Sequence, residues 1–179
     1  MRITISGPPG SGKTTACRML SQKMGMRSIV FGEFFRQLAK ERGMTLAEFG
    51  ALAENDPSID EKIDSMILDA ARKDPNVILE SRLSAHMLTK NKIPAFRVYI
   101  GASPEVRIKR VGIREGESLE EVQKHTIERQ SSEAKRYKMY YDIDIEDKSV
   151  YDLILDTDDM DPEQVVDSIL KGIEESTCS

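Results

Sequence analysis

The chain has 179 residues, 26 Lys/Arg against 31 Asp/Glu for a net charge of −5, and 39% hydrophobic residues. That length accommodates one full core, so a single domain over 1–179 is expected, and no 18-residue apolar run is present to form a membrane-spanning helix. Two cysteines, Cys17 and Cys178, exclude a disulfide framework or a cysteine metal centre, and reduced thiols suit the cytoplasm. The sequence starts directly on strand-like residues without an apolar signal region, so no signal peptide is expected. Charge is unevenly spread: residues 97–138 hold ten Lys/Arg against seven Asp/Glu, and 139–179 hold two against thirteen. One locally basic stretch in an acidic chain suits a small polyanion, whereas a nucleic acid needs a broad basic face.

In chain order, Ile3, Thr4 and Ile5 are β-formers in a short run that predicts a buried strand. Gly7-Pro8-Pro9-Gly10-Ser11-Gly12-Lys13-Thr14 follows, a full match to the G-x-x-x-x-G-K-[ST] phosphate-binding loop, with Thr15 directly behind it. Its glycines let several N–H groups turn inward on one anion. Lys13 adds a mobile positive charge for the β/γ-phosphates, and the Thr14 hydroxyl suits Mg²⁺. Thr14 to Met24 reads as a helix with Cys17, Leu20 and Met24 on one face and its N-terminus at the phosphates. Strand, loop and helix in register make this a nucleoside triphosphate site.

Gly25 stops that helix, and Arg27 to Phe31 reads as a second strand. Three helices are predicted next. The first covers Glu33 to Arg42, the second opens on the capping box Thr45-Leu46-Ala47-Glu48, and the third is capped by Asp56-Pro57 with Ile59, Ile63, Met66 and Ala70 in a stripe. Val77 to Leu79 is a buried strand ending at Glu80, and Phe96 to Ile100 is another. Ser103-Pro104-Glu105 starts a helix, and the capping box Ser118-Leu119-Glu120-Glu121 starts a long one reaching towards Tyr140. Tyr151 to Leu155 is the last strand, and Asp161-Pro162 opens a final helix with Val165, Val166, Ile169 and Ile173 inward. Five strands joined by helices imply an α/β fold with a parallel sheet covered on both faces. Ligands then lie beyond the carboxyl ends of the strands, which singles out Gly7 to Thr14, Gly32 to Arg36 and Glu80 to Arg82.

The phosphate loop, Gly32-Glu33-Phe34-Phe35-Arg36, Glu80-Ser81-Arg82, Ser103-Pro104-Glu105-Val106-Arg107 and the ending from Leu155-Asp156-Thr157 through Val166 together resemble nucleoside-monophosphate kinases. The resemblance is greatest to cytidylate kinases of the short archaeal type, and it covers nearly the whole chain. It implies a P-loop three-layer α/β/α fold with strand order 2-3-1-4-5, a monophosphate-binding insert over about 32–75, and an arginine-bearing lid near 110–120. It also implies transfer of the γ-phosphate of ATP to CMP or dCMP with Mg²⁺. In this sequence Ser81 stands where such kinases tend to have Gly after the third strand, and Leu83 where the bacterial type has a cytosine-reading Asp. No base-reading residue is therefore identified.

The arginines have their own physical rationale, because two phosphate chains must be neutralised as they approach in line and a guanidinium grips phosphate bidentately. Arg36 and Arg82 follow strand-like runs and are expected on the monophosphate, with Arg136. Arg107, Arg110 and Arg114 fall on one side of a helix, and Arg129 and Arg136 repeat a seven-residue spacing around Glu133. Arg110, Arg114 and Arg129 are expected to act on the transferring phosphate, while Arg107 reads as part of a solvated face. Lys13 completes the catalytic set, and Glu80 is expected to hold Mg²⁺ through water beside Thr14. Glu80 acting instead as a general base would make the chain a nucleoside kinase. A GTPase-like switch is a further alternative, but Pro94 occupies the aspartate position of its guanine reader in Asn91-Lys92-Ile93-Pro94. His86 and His125 lack clustered partners and are read as ordinary. ATP and CMP or dCMP are the expected partners of a cytoplasmic monomer.

Overall fold

A computed structural model describes residues 1–115 and 118–177, with the side chains of Arg114 and Glu115 outside the described set. Four consecutive buried residues, Ile3–Ser6, form β1, the middle strand of five. β2 (Arg27–Val30), β3 (Val77–Glu80), β4 (Phe96–Gly101) and β5 (Leu153–Asp156) complete the sheet in the order β2-β3-β1-β4-β5. Every pairing is parallel. Glu80 is in register with both Ile5 and Val30, so the carboxyl ends of the three strands align on one edge.

Alternation along the strands separates two cores. Ile3, Ile5, Ile78, Val98 and Ile100 face α1 (Lys13–Met24) and α8 (Pro162–Thr177) through Leu20, Val166 and Ile169. Val77 and Leu79 face the other side, against α2 (Phe31–Glu41), α4 (Pro57–Lys73) and α5 (Ser84–Lys90), through Phe31, Ile63, Ile67 and Leu88. The helical insert between β2 and β3 is α2, α3 (Leu46–Ala53) and α4, as expected. Phe49 and Ala53 of α3 bury against Ala39 and Ile59, and α3 packs on α7 (Leu119–Tyr141). The caps legible in the sequence are formed: reciprocal boxes at Thr45/Glu48 and Ser118/Glu121, and Asp56 before Pro57.

Three local differences have clear causes. β2 stops at Val30, and α2 begins at Phe31 with no loop between them. Phe31, Phe34, Phe35 and Leu38 recur at helical spacing and fill the second core, although the first of them extends an apolar run that reads equally as strand. α5 has no counterpart in the sequence reading, because Ser84 to Leu88 are all buried and the segment lacks an amphipathic period. β5 starts at Leu153, not Tyr151, whose ring instead packs edge-on against Tyr99 and His86. Among the described residues no helix is long and apolar enough to cross a membrane.

Candidate active site

The loop between β1 and α1 takes its shape from backbone room as much as from sequence. Gly7 has φ 148°, and a Cβ there would come within 2.0 Å of the Ile100 carbonyl oxygen. Gly10 has φ 81°, and its Cβ would lie 2.6 Å from the Arg107 carbonyl oxygen on α6 (Pro104–Glu115). Neither position admits a side chain, so the loop crown lies flush against β4 and α6. The Lys13 ammonium folds back and donates to the Pro8 carbonyl at 2.9 Å. Burial lowers its pKa to about 8; Glu80 opposes that drop, while Arg82 and Arg129 add to it. The Thr14 hydroxyl donates to Glu80 Oε2 at 2.9 Å, joining the start of α1 to the end of β3. Two oxygen groups suited to a hard divalent cation thus sit side by side.

A cavity of about 440 Å³ opens over this loop. Its walls include the loop from Pro9 to Thr15, Glu80, and four arginines from four different elements: Arg36, Arg82, Arg110 and Arg129. Val111, Met160, Pro162 and Val165 supply apolar lining. Arg110 is held by Thr157, whose hydroxyl and carbonyl oxygens accept from its two terminal nitrogens at 3.1 and 2.7 Å. Thr157 is buried in the turn after β5 and also donates to the Gly101 carbonyl. The sequence reading includes Thr157 only in the ending that resembles cytidylate kinases and gives it no role in the site.

Glu133, in the middle of α7, organises the opposite wall. It is buried, and its two oxygens accept from Arg82 Nε at 2.9 Å and Arg129 Nε at 3.0 Å. Burial alone would raise its pKa, but Arg129, Arg82 and Arg136 outweigh that and leave it lowered. Arg82 Nη2 is buried with no hydrogen-bond partner among the described residues.

Arg136 is placed differently from the expectation. It does not line the cavity over the loop. It is buried against Asp60 of α4, donating from Nε at 2.7 Å, and bonds Ser132 from Nη1 at 2.7 Å. It borders a second cavity, of about 480 Å³, between α2, α3 and α7, with Phe35, Gly50, Ala51 and Ser132 among its walls. Arg129 and Glu133 line this second cavity too, and Arg129 lines both. Asp64, one turn beyond Asp60, is buried and accepts from the Tyr141 hydroxyl at 2.8 Å; burial raises its carboxyl to about 7.

Arg107 is not on a solvated face. It is 8% exposed and makes three hydrogen bonds inside the protein. The side chain of the expected lid arginine Arg114, and residues 116–117 of the expected lid, lie outside the described set. Cys17 is buried and its thiol is pushed up to about 12 by burial, then by Glu80, which leaves it unreactive. His86 is buried edge-on to Tyr151, and burial lowers its pKa. Asn91 to Pro94 precede β4, at the sheet edge opposite the phosphate loop, so they have no access to a nucleotide there.

Comparison with known proteins agrees with this layout. Residues 2–159 match the family model described as the cytidylate kinase-like family. The chain is 48% identical over 176 residues to a cytidylate kinase of Methanococcoides burtonii, covering 98% of each chain. It is 44% identical to a cytidylate kinase of Archaeoglobus fulgidus, over 97% of this chain and 95% of the other. Among solved structures, a protein from Eubacterium ventriosum superposes with a TM-score of 0.71 at 18% identity, covering 97% of this chain and 98% of that one. A shikimate kinase from Bacteroides thetaiotaomicron superposes at 0.62 and 19% identity, with the same coverage. These two share the fold. The chain belongs to the cytidylate kinase-like family.

Proposed function

We propose that the chain transfers the γ-phosphate of ATP to CMP, giving ADP and CDP, and that dCMP also serves as acceptor. The observation that carries this reading is the convergence of Arg36, Arg82, Arg110 and Arg129 on one cavity with the phosphate loop. A loop with its lysine suffices for the donor, and further arginines on the opposite wall suit a second phosphate as acceptor. Gly7 to Thr15 hold the donor phosphates, and the apolar lining of Val111, Met160 and Pro162 takes the adenine ring, with Arg110 beside it. Arg36 and Arg82 take the acceptor phosphate, and Arg129 spans both phosphate chains. The acceptor's base and sugar extend into the second cavity, where Phe35 offers an aromatic face. Arg136, fixed by Asp60, then serves as a wall of the base site and not as a phosphate ligand.

Thr14 and Glu80 fit Mg²⁺, which usually takes one or two protein groups and completes its shell with phosphate and water. When bound, the ion neutralises β/γ-phosphate charge. The protein's own residues supply the rest: Lys13 and the arginines hold two anionic chains in line and exclude water around them. No general base is required, since the acceptor phosphate, with a second pKa of about 6, is largely ionised at neutral pH. The Thr14 bond commits the Glu80 carboxylate to the donor side of the cavity, which favours the metal role over proton abstraction. The insert over about 32–75 is the acceptor-holding part of a monomeric, cytoplasmic enzyme. The test is an ATP-coupled assay over CMP, dCMP, UMP, AMP and the free nucleosides. CMP should be turned over fastest; turnover of cytidine in preference to CMP would replace this reading with a nucleoside kinase.

A further inference from the structure

Arg107 stands behind the active cavity and not in its wall, yet it ties together three parts of that wall. Its Nε donates to the Ala102 carbonyl at 3.1 Å, at the turn after β4. Its Nη1 donates both to the Pro9 carbonyl at 3.2 Å and to Gln130 Oε1 at 3.0 Å. Pro9 is in the crown of the phosphate loop. Gln130 is the neighbour of Arg129 on α7, and Arg107 itself lies one turn before Arg110 on α6. A buried guanidinium is costly to desolvate, and among the described residues no carboxylate forms an ion pair with this one. Its partners are instead two carbonyls and an amide, one group from each of three elements. The close approach of Gly10 to the Arg107 carbonyl brings the α6 backbone onto the same part of the loop.

We propose that Arg107 is a positioning residue that locks the loop crown to the root of α6 and the middle of α7. By this link the seating of the donor phosphates and the placement of Arg110 and Arg129 become one adjustment. A planar fork fixed at three points transmits orientation, which a flexible ammonium does not. A shift of the loop crown by a fraction of an ångström is then passed to the arginine that spans donor and acceptor. This inference rests on the phosphoryl-transfer reading only for its turnover readouts.

Arg107→Met, Arg107→Lys and Gln130→Leu decide it, each measured by direct ATP titration without acceptor and by steady-state kinetics with both nucleotides. Arg107→Met should weaken ATP binding and lower kcat, each by about tenfold to a hundredfold, because misplacement by about 1 Å costs on that scale. Its KM for CMP should change by less than the ATP affinity does, since Arg36 and Arg82 keep their places and Arg129 alone among the acceptor groups is coupled to Arg107. Arg107→Lys should recover ATP binding, as an ammonium reaches the Pro9 carbonyl, but not kcat, as it cannot also hold Gln130. Gln130→Leu cuts only the α7 arm and keeps the buried arginine, so it remains informative where Arg107→Met is too unstable to purify. It should bind ATP as wild type does and lose about tenfold in kcat. Equal changes in both nucleotides' KM, unchanged ATP affinity in Arg107→Met, or wild-type kcat in Gln130→Leu would each overturn the proposal. Wild-type protein that binds ATP but does not turn over CMP would overturn the proposed reaction instead, and the ATP titrations would still read the strut.

Discussion

Replacing Glu133 by glutamine tests the electrostatic organisation of the site with almost no change of shape. Wild-type Glu133 is 5% exposed, and its carboxylate is shared between Arg82 and Arg129, whose side chains are 13% and 25% exposed. Removing one partner of a fully buried ion pair costs about 3–5 kcal/mol, mostly from the charge left behind. Solvent reaches both arginines in part, and the amide oxygen still accepts one hydrogen bond, so the expected loss is nearer 2–4 kcal/mol. For a chain of this size each kcal/mol moves Tm by about 2–4 °C, which puts the expected fall at about 5–15 °C. The pH dependence carries a sign. Because the folded-state pKa of Glu133 is lowered, its stabilisation is present above the ordinary carboxylate range and is lost as pH falls through the folded value. Thermal unfolding of wild type and Glu133→Gln from pH 3 to 8 should therefore give a gap that is constant near neutrality and closes under acid. Inorganic phosphate should narrow the gap at neutral pH, since it supplies the missing negative charge to the same arginines. A variant as stable as wild type at pH 7, or a gap that widens on acidification, would refute the assignment of Glu133 as their anionic anchor.

Other perturbations address the remaining parts. With Lys13 lowered to about 8, ATP binding at pH 9 should take up a proton as the phosphates restore the ammonium; calorimetry in two buffers of different ionisation enthalpy measures it, and Lys13→Ala should abolish it. The same variant should lose about 10²–10³ in kcat. Arg36→Ala and Arg82→Ala should each raise the KM for CMP well above any change for ATP, by the loss of a charge-assisted contact worth about 1.5–3 kcal/mol; equal effects on both substrates would argue against their acceptor role. Glu80→Gln should lose activity that added Mg²⁺ partly restores, with the acidic limb of its pH profile intact; loss of that limb without metal rescue would make Glu80 a base. Asp64, raised to about 7 by burial, binds its proton more tightly folded than unfolded, so it costs stability as pH rises from about 4 to 7, by at most about 1.4 kcal/mol per pH unit. Asp64→Asn should flatten that slope in denaturant titrations and leave the protein more stable than wild type at pH 8.

The parts of the site that can be read in the sequence are those whose chemistry is local. Eight consecutive residues specify the phosphate loop, and Arg82 is found because it lies two residues beyond a buried strand whose carboxyl end must face the ligand. The buried acids of α4 and α7 are different, since charged residues on long helices are usually solvated and that default conceals Glu133, Asp60 and Asp64. A signal for two of them was present. Asp60 and Asp64 fall on the same helical stripe as Ile63, Ile67 and Ala71, and all five are buried. An acid inside an apolar stripe requires a buried partner, and Arg136 and Tyr141 supply it from α7. Arg107 was misjudged for the complementary reason, because its partners are carbonyls and an amide from distant segments, which no spacing rule records.

The arrangement also explains why a carboxylate belongs behind a phosphate site. Lys13, Arg36, Arg82, Arg110 and Arg129 line one cavity, and their mutual repulsion must be offset before any ligand arrives. Glu80 offsets it beside Thr14, and Glu133 beside Arg82 and Arg129. A carboxylate that gripped the guanidinium ends would compete with the substrate for the same atoms. Glu133 instead takes the Nε of Arg82 and of Arg129, the nitrogens nearest their stems. That choice fixes the direction of both side chains and leaves their terminal nitrogens outside the Glu133 contacts. The anion thus contributes orientation, and its charge lowers the cost of assembling the cations. A site organised this way needs little rearrangement when the second phosphate chain enters, which is the condition for electrostatic stabilisation to act on the transition state.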